Sequence, residues 1–309
     1  MEPENLNDKK AEESLAPLPP SDSADRGGLK LIECPRDAMQ GWPHFIPTEK
    51  KTAYIQALLK VGFDTIDFGS FVSPKAIPQM ADTFQVVSKL NTEKGKTKLL
   101  AIIANERGAS DAMPFYEITY LGFPFSVSET FQKRNTNSTI AASLARVGEI
   151  QNLCIKSQKE LVVYISMGFG NPYGDPYSEE IVFGWVDKLA ALDIKIISLA
   201  DTVGLANAEQ VKTMTACLVN TFPKIEIGVH LHSTPANWKE KTGAALDAGC
   251  KRFDGALKGI GGCPMAGNDL VGNMDTALMI PYFNELKLVN GIDLEALHHC
   301  SRLAAEIFV

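Results

Sequence analysis

Eight short apolar segments recur along the chain from residue 29 onward, and longer amphipathic segments separate them. They are "LKLIEC" (29–34), "TIDFG" (65–69), "LLAIIA" (99–104), "EITYLGF" (117–123), "LVVYISMGF" (161–169), "IKIISLA" (194–200), "IEIGVHLH" (225–232) and "RFDGAL" (252–257). Runs of this length and composition are typical of buried strands. Eight strands alternating with helices predict an α/β fold, a (β/α)8 TIM barrel. A doubly wound open sheet is the alternative, but no GxGxxG motif follows the first strand.

Four of the intervening segments carry helix start signals. Thr48 follows Pro47, and Ser178, Asn207 and Asn237 each precede an amphipathic run, as N-cap residues do. The segment "LEALHHCSRLAAEIF" (294–308) predicts an additional C-terminal helix packed outside the barrel.

Composition limits the remaining possibilities. Residues 1–28 are rich in Glu, Asp, Ser and Pro and are expected to be a disordered tail, which leaves 29–309 as a single barrel domain. A net charge of −7 argues against a nucleic-acid surface. The six cysteines are dispersed without a CxxC pair, and no apolar run is long enough for a membrane span. We therefore expect a cytoplasmic protein with reduced thiols.

Polar residues of unusual type follow five of the predicted strands. Active sites of TIM barrels lie at the C-terminal ends of the strands, so these side chains are candidates for function. They are Arg36 and Asp37 after strand 1, Asp67 and Ser70 after strand 2, Asp201 and Thr202 after strand 6, His230 and His232 on strand 7, and Cys263 and Asn273 after strand 8.

The two histidines of "HLHSTP" (230–235) predict a metal site. Residues i and i+2 of a strand point to the same face, so both imidazoles would project together. A pair of packed core histidines is the alternative. Asp37 and Asn273 would complete a set of oxygen and nitrogen ligands that suits Mg²⁺ or Mn²⁺, with Zn²⁺ as a competitor.

Three other residues have a catalytic and a structural interpretation. Arg36 would stabilise an enolate or oxyanion, or form a salt bridge at the barrel rim. Asp201 would act as a general base beside the metal, or as an N-cap. Cys263 would act as an acid or base on a glycine-rich loop over the barrel mouth, or be a small buried thiol.

The motifs "ECPRDAMQ", "FGSFVSPKAIPQMAD", "SLADTVG", "VHLHS" and "GIGGCPMA…GN" together resemble the 3-hydroxy-3-methylglutaryl-CoA lyase family, from about residue 29 to 280. The resemblance implies a (β/α)8 barrel that cleaves this thioester to acetyl-CoA and acetoacetate with Mg²⁺ or Mn²⁺. It implies metal ligands at Asp37, His230, His232 and Asn273, and catalytic residues at Arg36, Asp201 and Cys263. Gln40, Asp67, Ser70 and Thr202 are the expected substrate-binding residues.

Some positions depart from the family pattern. Asp67, Ser233 and Ala277 stand where the family usually has Glu, Asp and Glu, and the loop reads "PMAGNDLVGN". Three alternatives stay open: a lyase for a related 3-hydroxyacyl-CoA, a carboligating synthase or 2-oxo-acid aldolase, and a non-catalytic CoA-ester sensor. The expected partners are a CoA thioester and a second copy of the chain in a homodimer, without nucleic acid or membrane. Candidate proton acceptors are Asp201 and His230, and candidate CoA-phosphate partners are Lys51, Lys75 and Lys133.

Overall fold

The computed structural model describes residues 28–92, 96–262 and 271–309. Eight parallel strands pair in sequence order, and β8 closes onto β1 to complete a barrel. The predicted fold class is confirmed. The strands are β1 (Lys30–Glu33), β2 (Thr65–Ser70), β3 (Lys98–Ile102), β4 (Ile118–Ser126), β5 (Glu160–Ser166), β6 (Ile196–Ala200), β7 (Glu226–His230) and β8 (Arg252–Gly255).

Helices surround this barrel. They are α1 (Pro35–Gln40), α2 (Thr48–Leu58), α3 (Thr83–Val87), α4 (Glu106–Ala112), α5 (Glu129–Thr136), α6 (Ile140–Lys156), α7 (Glu179–Ala191), α8 (Ala208–Thr221), α9 (Trp238–Asp247), α10 (Thr276–Glu285) and α11 (Leu294–Ile307). The C-terminal helix is present as predicted, and α11 packs against α2. None of the helices in the described ranges is long and apolar enough to span a membrane.

The predicted helix starts are confirmed, with one difference in mechanism. The side chains of Ser178 and Asn207 accept amide hydrogen bonds from the first turns of α7 and α8. Asn237 precedes α9 as expected, but its carboxamide oxygen accepts from the backbone and hydroxyl of Thr234 instead. Helix α6 lacked a start signal recognised in the sequence, although its buried positions recur at three- and four-residue intervals.

Two apolar clusters fill the part of the molecule that the structure describes. The larger lies between strands and helices, and the smaller consists of Leu100, Tyr120, Val162, Tyr164 and Ile196. These five residues lie on the inward-facing positions of β3 to β6, where every second side chain points into the barrel. Charged residues on β7 and β8 share the interior with them, so one side of the barrel core is polar.

Two element boundaries differ from the predictions in ways that affect the site. The segment "PRDAMQ", which the sequence placed at the end of strand 1, forms the short helix α1, because Pro35 suits the first position of a helix. β7 ends at His230, so His232 lies beyond the strand and pairs with Asn273 in an isolated bridge.

Candidate active site

A cavity of about 420 Å³ opens at the C-terminal ends of the strands. Its lining includes Arg36, Asp37, Gln40, Thr202, His230 and His232. The chain therefore brings residues from β1, β6 and β7 together, as the barrel topology predicts.

Helix α1 positions three of these side chains directly after β1. Asp37 and Gln40 are one turn apart, and the Gln40 amide donates to Asp37 Oδ1 at 2.7 Å. Arg36 Nη1 donates to the same oxygen at 2.9 Å. Burial acts to raise the pKa of Asp37, but the charges of Arg36 and the two histidines lower this pKa to about 2. Asp37 is thus a carboxylate throughout the physiological pH range.

Asp67 on β2 fixes the guanidinium of Arg36. Arg36 Nε donates to both carboxylate oxygens at 3.0 and 3.2 Å, and Nη2 makes a further hydrogen bond to Oδ2. Burial raises the pKa of Asp67 to about 6 against the opposing charge of Arg36. Because a planar fork of donors is held on two carboxylates, Arg36 is rigidly oriented toward the cavity.

His230 is held from behind by a carboxylate on β8. Its Nδ1 lies 3.2 Å from Asp254 Oδ2. Burial acts to lower the pKa of His230, but the hydrogen bond and charge of Asp254 raise it above the usual value. A hydrogen bond in which Nδ1 donates to this carboxylate leaves Nε2 for the cavity.

His232 lies beside His230, with 5.4 Å between the ring centroids. Burial and the neighbouring His230 lower the pKa of His232 to about 4, so its imidazole is neutral at pH 7. Its Nδ1 is buried and has no hydrogen-bond partner among the described residues. A buried polar atom without a partner is costly, and a metal ion is one species that would satisfy it.

Asn273 lies next to Asp37. Its amide nitrogen donates to Asp37 Oδ2 at 2.7 Å and to the Ile260 carbonyl at 2.9 Å, which leaves the amide oxygen available to a ligand. The backbone of Gly261 approaches so closely that a Cβ there would lie 2.5 Å from Asn273 Nδ2. Gly261 also has φ +114°, so both its space and its conformation require glycine.

The residues present fit a divalent metal ion. Donor atoms of Asp37, His230 and His232 all lie within 4.8 Å of one another, and the Asn273 side chain contacts Asp37. Carboxylate, imidazole and amide donors without a required thiolate suit a hard or borderline divalent ion.

The other predicted site residues divide into two groups. Gln40 and Thr202 line the cavity, and the Thr202 hydroxyl accepts from the Met167 amide. The remaining three do not line it. Asp67 faces Arg36, the Ser70 hydroxyl donates to the Ile102 carbonyl, and Asp201 is buried against Lys241. Cys263 lies outside the described residues.

Asp201 forms a buried ion pair that the sequence did not indicate. Its Oδ2 lies 2.8 Å from Lys241 Nζ on α9, and Oδ1 accepts from the Ala206 amide. Lys241 also donates to the His232 carbonyl at 2.8 Å. Asp201 and Lys241 therefore support the backbone that carries His232. This geometry argues against a general base at Asp201.

Arg134 was not among the predicted site residues, and Lys51 does not have the position expected of a phosphate partner. Arg134, at the end of α5, lines the cavity, lies 4.6 Å over the ring of Tyr173 and has no salt bridge to any described carboxylate. Lys51 was a candidate phosphate partner, but it is buried against Asp82 at 2.7 Å and is not available. The local sequence does not show that Arg134 is unpaired or that Lys51 is paired, because the partners of a cation come from distant parts of the chain.

The chain matches the HMGL-like family model over residues 30–304. A hydroxymethylglutaryl-CoA lyase of Bacillus subtilis is 33% identical over 263 residues, which covers 85% of this chain and 87% of that protein. An (R)-citramalyl-CoA lyase of Chloroflexus aurantiacus is 30% identical over 272 residues, covering 85% of each. The structure of an HMG-CoA lyase from Acinetobacter baumannii with coenzyme A and 3-methylmalate superposes with a TM-score of 0.85 at 33% identity, covering 93% of each chain. The chain therefore belongs to the HMGL-like family.

Proposed function

We propose that the protein is a metal-dependent carbon–carbon lyase that cleaves 3-hydroxy-3-methylglutaryl-CoA to acetyl-CoA and acetoacetate. The observation that carries this proposal is the convergence of Asp37, His230 and His232 within 4.8 Å beside Arg36, at a cavity of about 420 Å³. The similarity to hydroxymethylglutaryl-CoA lyases supports the substrate class.

Asp37, His230, His232 and Asn273 would hold the ion, which we propose to be Mg²⁺ or Mn²⁺. When bound, such an ion acidifies a hydroxyl group and offsets negative charge that develops on oxygen. His232 is neutral at pH 7 and Asp37 is ionised, so both carry free lone pairs without losing a proton first.

Arg36 would stabilise the enolate that leaves as acetyl-CoA. Cleavage breaks the bond between the carbinol carbon and the methylene next to the thioester, and negative charge moves onto the thioester oxygen. Asp67 and Asp37 fix the guanidinium before the reaction starts, so little reorganisation is needed when that charge appears.

The substrate hydroxyl must give up its proton before this bond breaks. Asp201 is paired with Lys241, and Nε2 of His230 is assigned to the ion, so neither predicted acceptor fits. Asp37 is the only carboxylate among the described residues that line the cavity. Both of its oxygens already accept hydrogen bonds, and its pKa is lowered to about 2, so we assign no described side chain as the proton acceptor.

Cys263 is proposed to protonate the leaving enolate. Thiol alkylation tests this role, provided that the other cysteines do not react as well. Cys217 is exposed on α8, whereas Cys34, Cys154, Cys250 and Cys300 are buried. Labelling therefore belongs in a Cys217→Ser background. We expect stoichiometric modification of Cys263 to abolish turnover, with metal affinity and melting temperature retained. Full activity of the labelled protein would contradict the assignment.

The CoA portion of the substrate carries several negative charges. Arg134 is the cavity-lining cation without a carboxylate partner among the described residues, so we assign it to one of these phosphates. The thioester end of the substrate would then lie toward Arg36, which also lines the cavity.

An activity panel tests the proposed function. The Mn²⁺-loaded protein is incubated with 3-hydroxy-3-methylglutaryl-CoA and with citramalyl-CoA, and free acetyl-CoA is measured. We expect acetyl-CoA from the first ester, loss of activity with a chelator, and its return with Mn²⁺. Asp37→Ala and His232→Ala should lose Mn²⁺ binding in calorimetry. Acetyl-CoA from citramalyl-CoA alone would reassign the substrate, and consumption of acetyl-CoA with an oxo acid would favour a synthase.

A further inference from the structure

Alternating charges run through the polar side of the barrel core and end at His230. Lys30 at the start of β1 pairs with Glu226 at the start of β7, and Glu226 Oε1 lies 3.3 Å from Arg252 Nη1. Asp254 follows two residues after Arg252 on β8, and its Oδ2 lies 3.2 Å from His230 Nδ1. We call Lys30, Glu226, Arg252, Asp254 and His230 the charge column.

Arg252 and Asp254 are buried on the same face of β8, since residues i and i+2 of a strand point the same way. The guanidinium stem of Arg252 lies over Gly228 of β7, where a Cβ would come within 2.9 Å of Arg252 Cδ. Gly228 therefore provides the space in which this large side chain fits inside the barrel.

The buried charges of Arg252 and Asp254 compensate each other electrostatically. Arg252 Nε and Nη2 and Asp254 Oδ1 are buried and have no hydrogen-bond partner among the described residues. An isolated buried charge costs several kcal/mol, so each needs an opposite charge nearby. Burial acts to lower the pKa of Arg252, and the charge of Asp254 is the main influence that raises this pKa.

Tyr164 limits how the His230 ring can move. The two rings meet edge to face, with centroids 5.9 Å apart. The contact with Asp254 places Nδ1 toward β8, and Tyr164 packs against the ring, which lines the cavity.

We propose that Arg252 and Asp254 are positioning residues that hold the proton of His230 on Nδ1 and present the Nε2 lone pair to the cavity. Arg252 acts through Asp254, whose carboxylate accepts the Nδ1 hydrogen bond. This inference rests on the proposed function only in assigning Nε2 to a metal ion. Outer partners of this kind typically contribute 10- to 100-fold to metal affinity.

The test uses the full-length protein and two readouts that need no substrate. Mn²⁺ affinity is measured by calorimetry, and the His230 tautomer is measured in metal-free protein by long-range ¹H–¹⁵N NMR. The variants are Asp254→Asn, Arg252→Met and the double variant. Lys51→Met is the matched control, because it removes a buried ion-paired cation on α2, remote from the charge column.

We expect Asp254→Asn to lower Mn²⁺ affinity by about 10- to 100-fold and to remove the preference for the Nδ1–H tautomer. Arg252→Met should shift both readouts in the same direction, and the double variant should bind Mn²⁺ no more weakly than Asp254→Asn alone. Lys51→Met should lower the melting temperature and leave both readouts unchanged.

Unchanged Mn²⁺ affinity and tautomer in folded Asp254→Asn would overturn the proposal, and this variant decides the question if Arg252→Met does not fold. Equal effects of Lys51→Met and Arg252→Met on Mn²⁺ affinity would also overturn it, because they would mark a general loss of stability. A wild-type protein that fails to cleave the CoA ester but shows the Asp254-dependent tautomer would refute the substrate and retain the positioning role.

Discussion

At the scale of single residues, Arg36 allows a catalytic role to be distinguished from a substrate-binding role. Its guanidinium is shared between Asp67 and Asp37 and has free N–H groups left for the cavity. Arg36→Lys keeps the charge but loses the planar fork. We expect kcat to fall on the order of 10²-fold or more while KM changes far less. Steady-state kinetics with the CoA ester check this, and a change confined to KM would make Arg36 a binding residue.

Glu33 gives a second prediction at this scale, and it concerns stability. The residue is fully buried at the end of β1, and its Oε1 accepts from the Leu257 amide at 2.9 Å. Burial raises the pKa of Glu33 from its usual 4.5 to about 8, against the effect of this hydrogen bond. The folded state therefore binds the Glu33 proton more tightly than the unfolded state does.

It follows that the stabilisation linked to this proton is fully present below pH 4.5 and is lost as pH rises through about 8. Glu33→Gln keeps an acceptor for Leu257 and removes the titration. In urea unfolding at pH 6 and pH 8.5, we expect a smaller pH dependence of the free energy of unfolding for the variant than for the wild type. Equal pH dependence in both proteins would contradict this prediction.

At the scale of elements, helix α8 offers a test of local sequence signals. Asn207 and Gln210 form a reciprocal capping box at its start. Asn207→Ala removes the side-chain acceptor and should cost about 0.5–2 kcal/mol of stability in chemical denaturation. Asn207→Gly is the matched comparison and should cost only a few tenths of a kcal/mol. A loss below about 0.5 kcal/mol for Asn207→Ala would contradict this prediction.

Helix α1 is the element that the sequence did not predict and that matters most to the site. At six residues it is too short for a periodic pattern, and its buried face consists of Arg36 and Asp37 as well as apolar side chains. Their burial depends on Asp67, Asn273 and the backbone near Gly262, which are distant in sequence. Local propensity carries no information about such partners.

At the scale of the whole molecule, the pairing of β1 with β8 joins the two ends of the described chain into one structural unit. Four residue pairs join these strands, beginning with Lys30 and Arg252. We propose that residues 29–309 form the single domain.

A chain that begins at residue 28 should therefore melt at the wild-type temperature in calorimetry, whereas one that begins at residue 35 lacks β1 and should not fold. A lower melting temperature for the first truncation would contradict the proposed boundary. The homodimer and the cytoplasmic location stay predictions.

The sequence alone determined the barrel, the strand order and the residues at the strand ends. Strand length, helix start signals and the HxH spacing are local properties, so Asp37, His230, His232 and Asn273 could be grouped before any contact was known. Tertiary structure decided which charges are engaged elsewhere. Asp201 turned out to be paired with Lys241 and Lys51 with Asp82, while Asp254 proved to support His230. The partners in these pairs are 24 to 40 positions apart in sequence, so they meet only after the barrel has closed, and local sequence patterns carry no information about them.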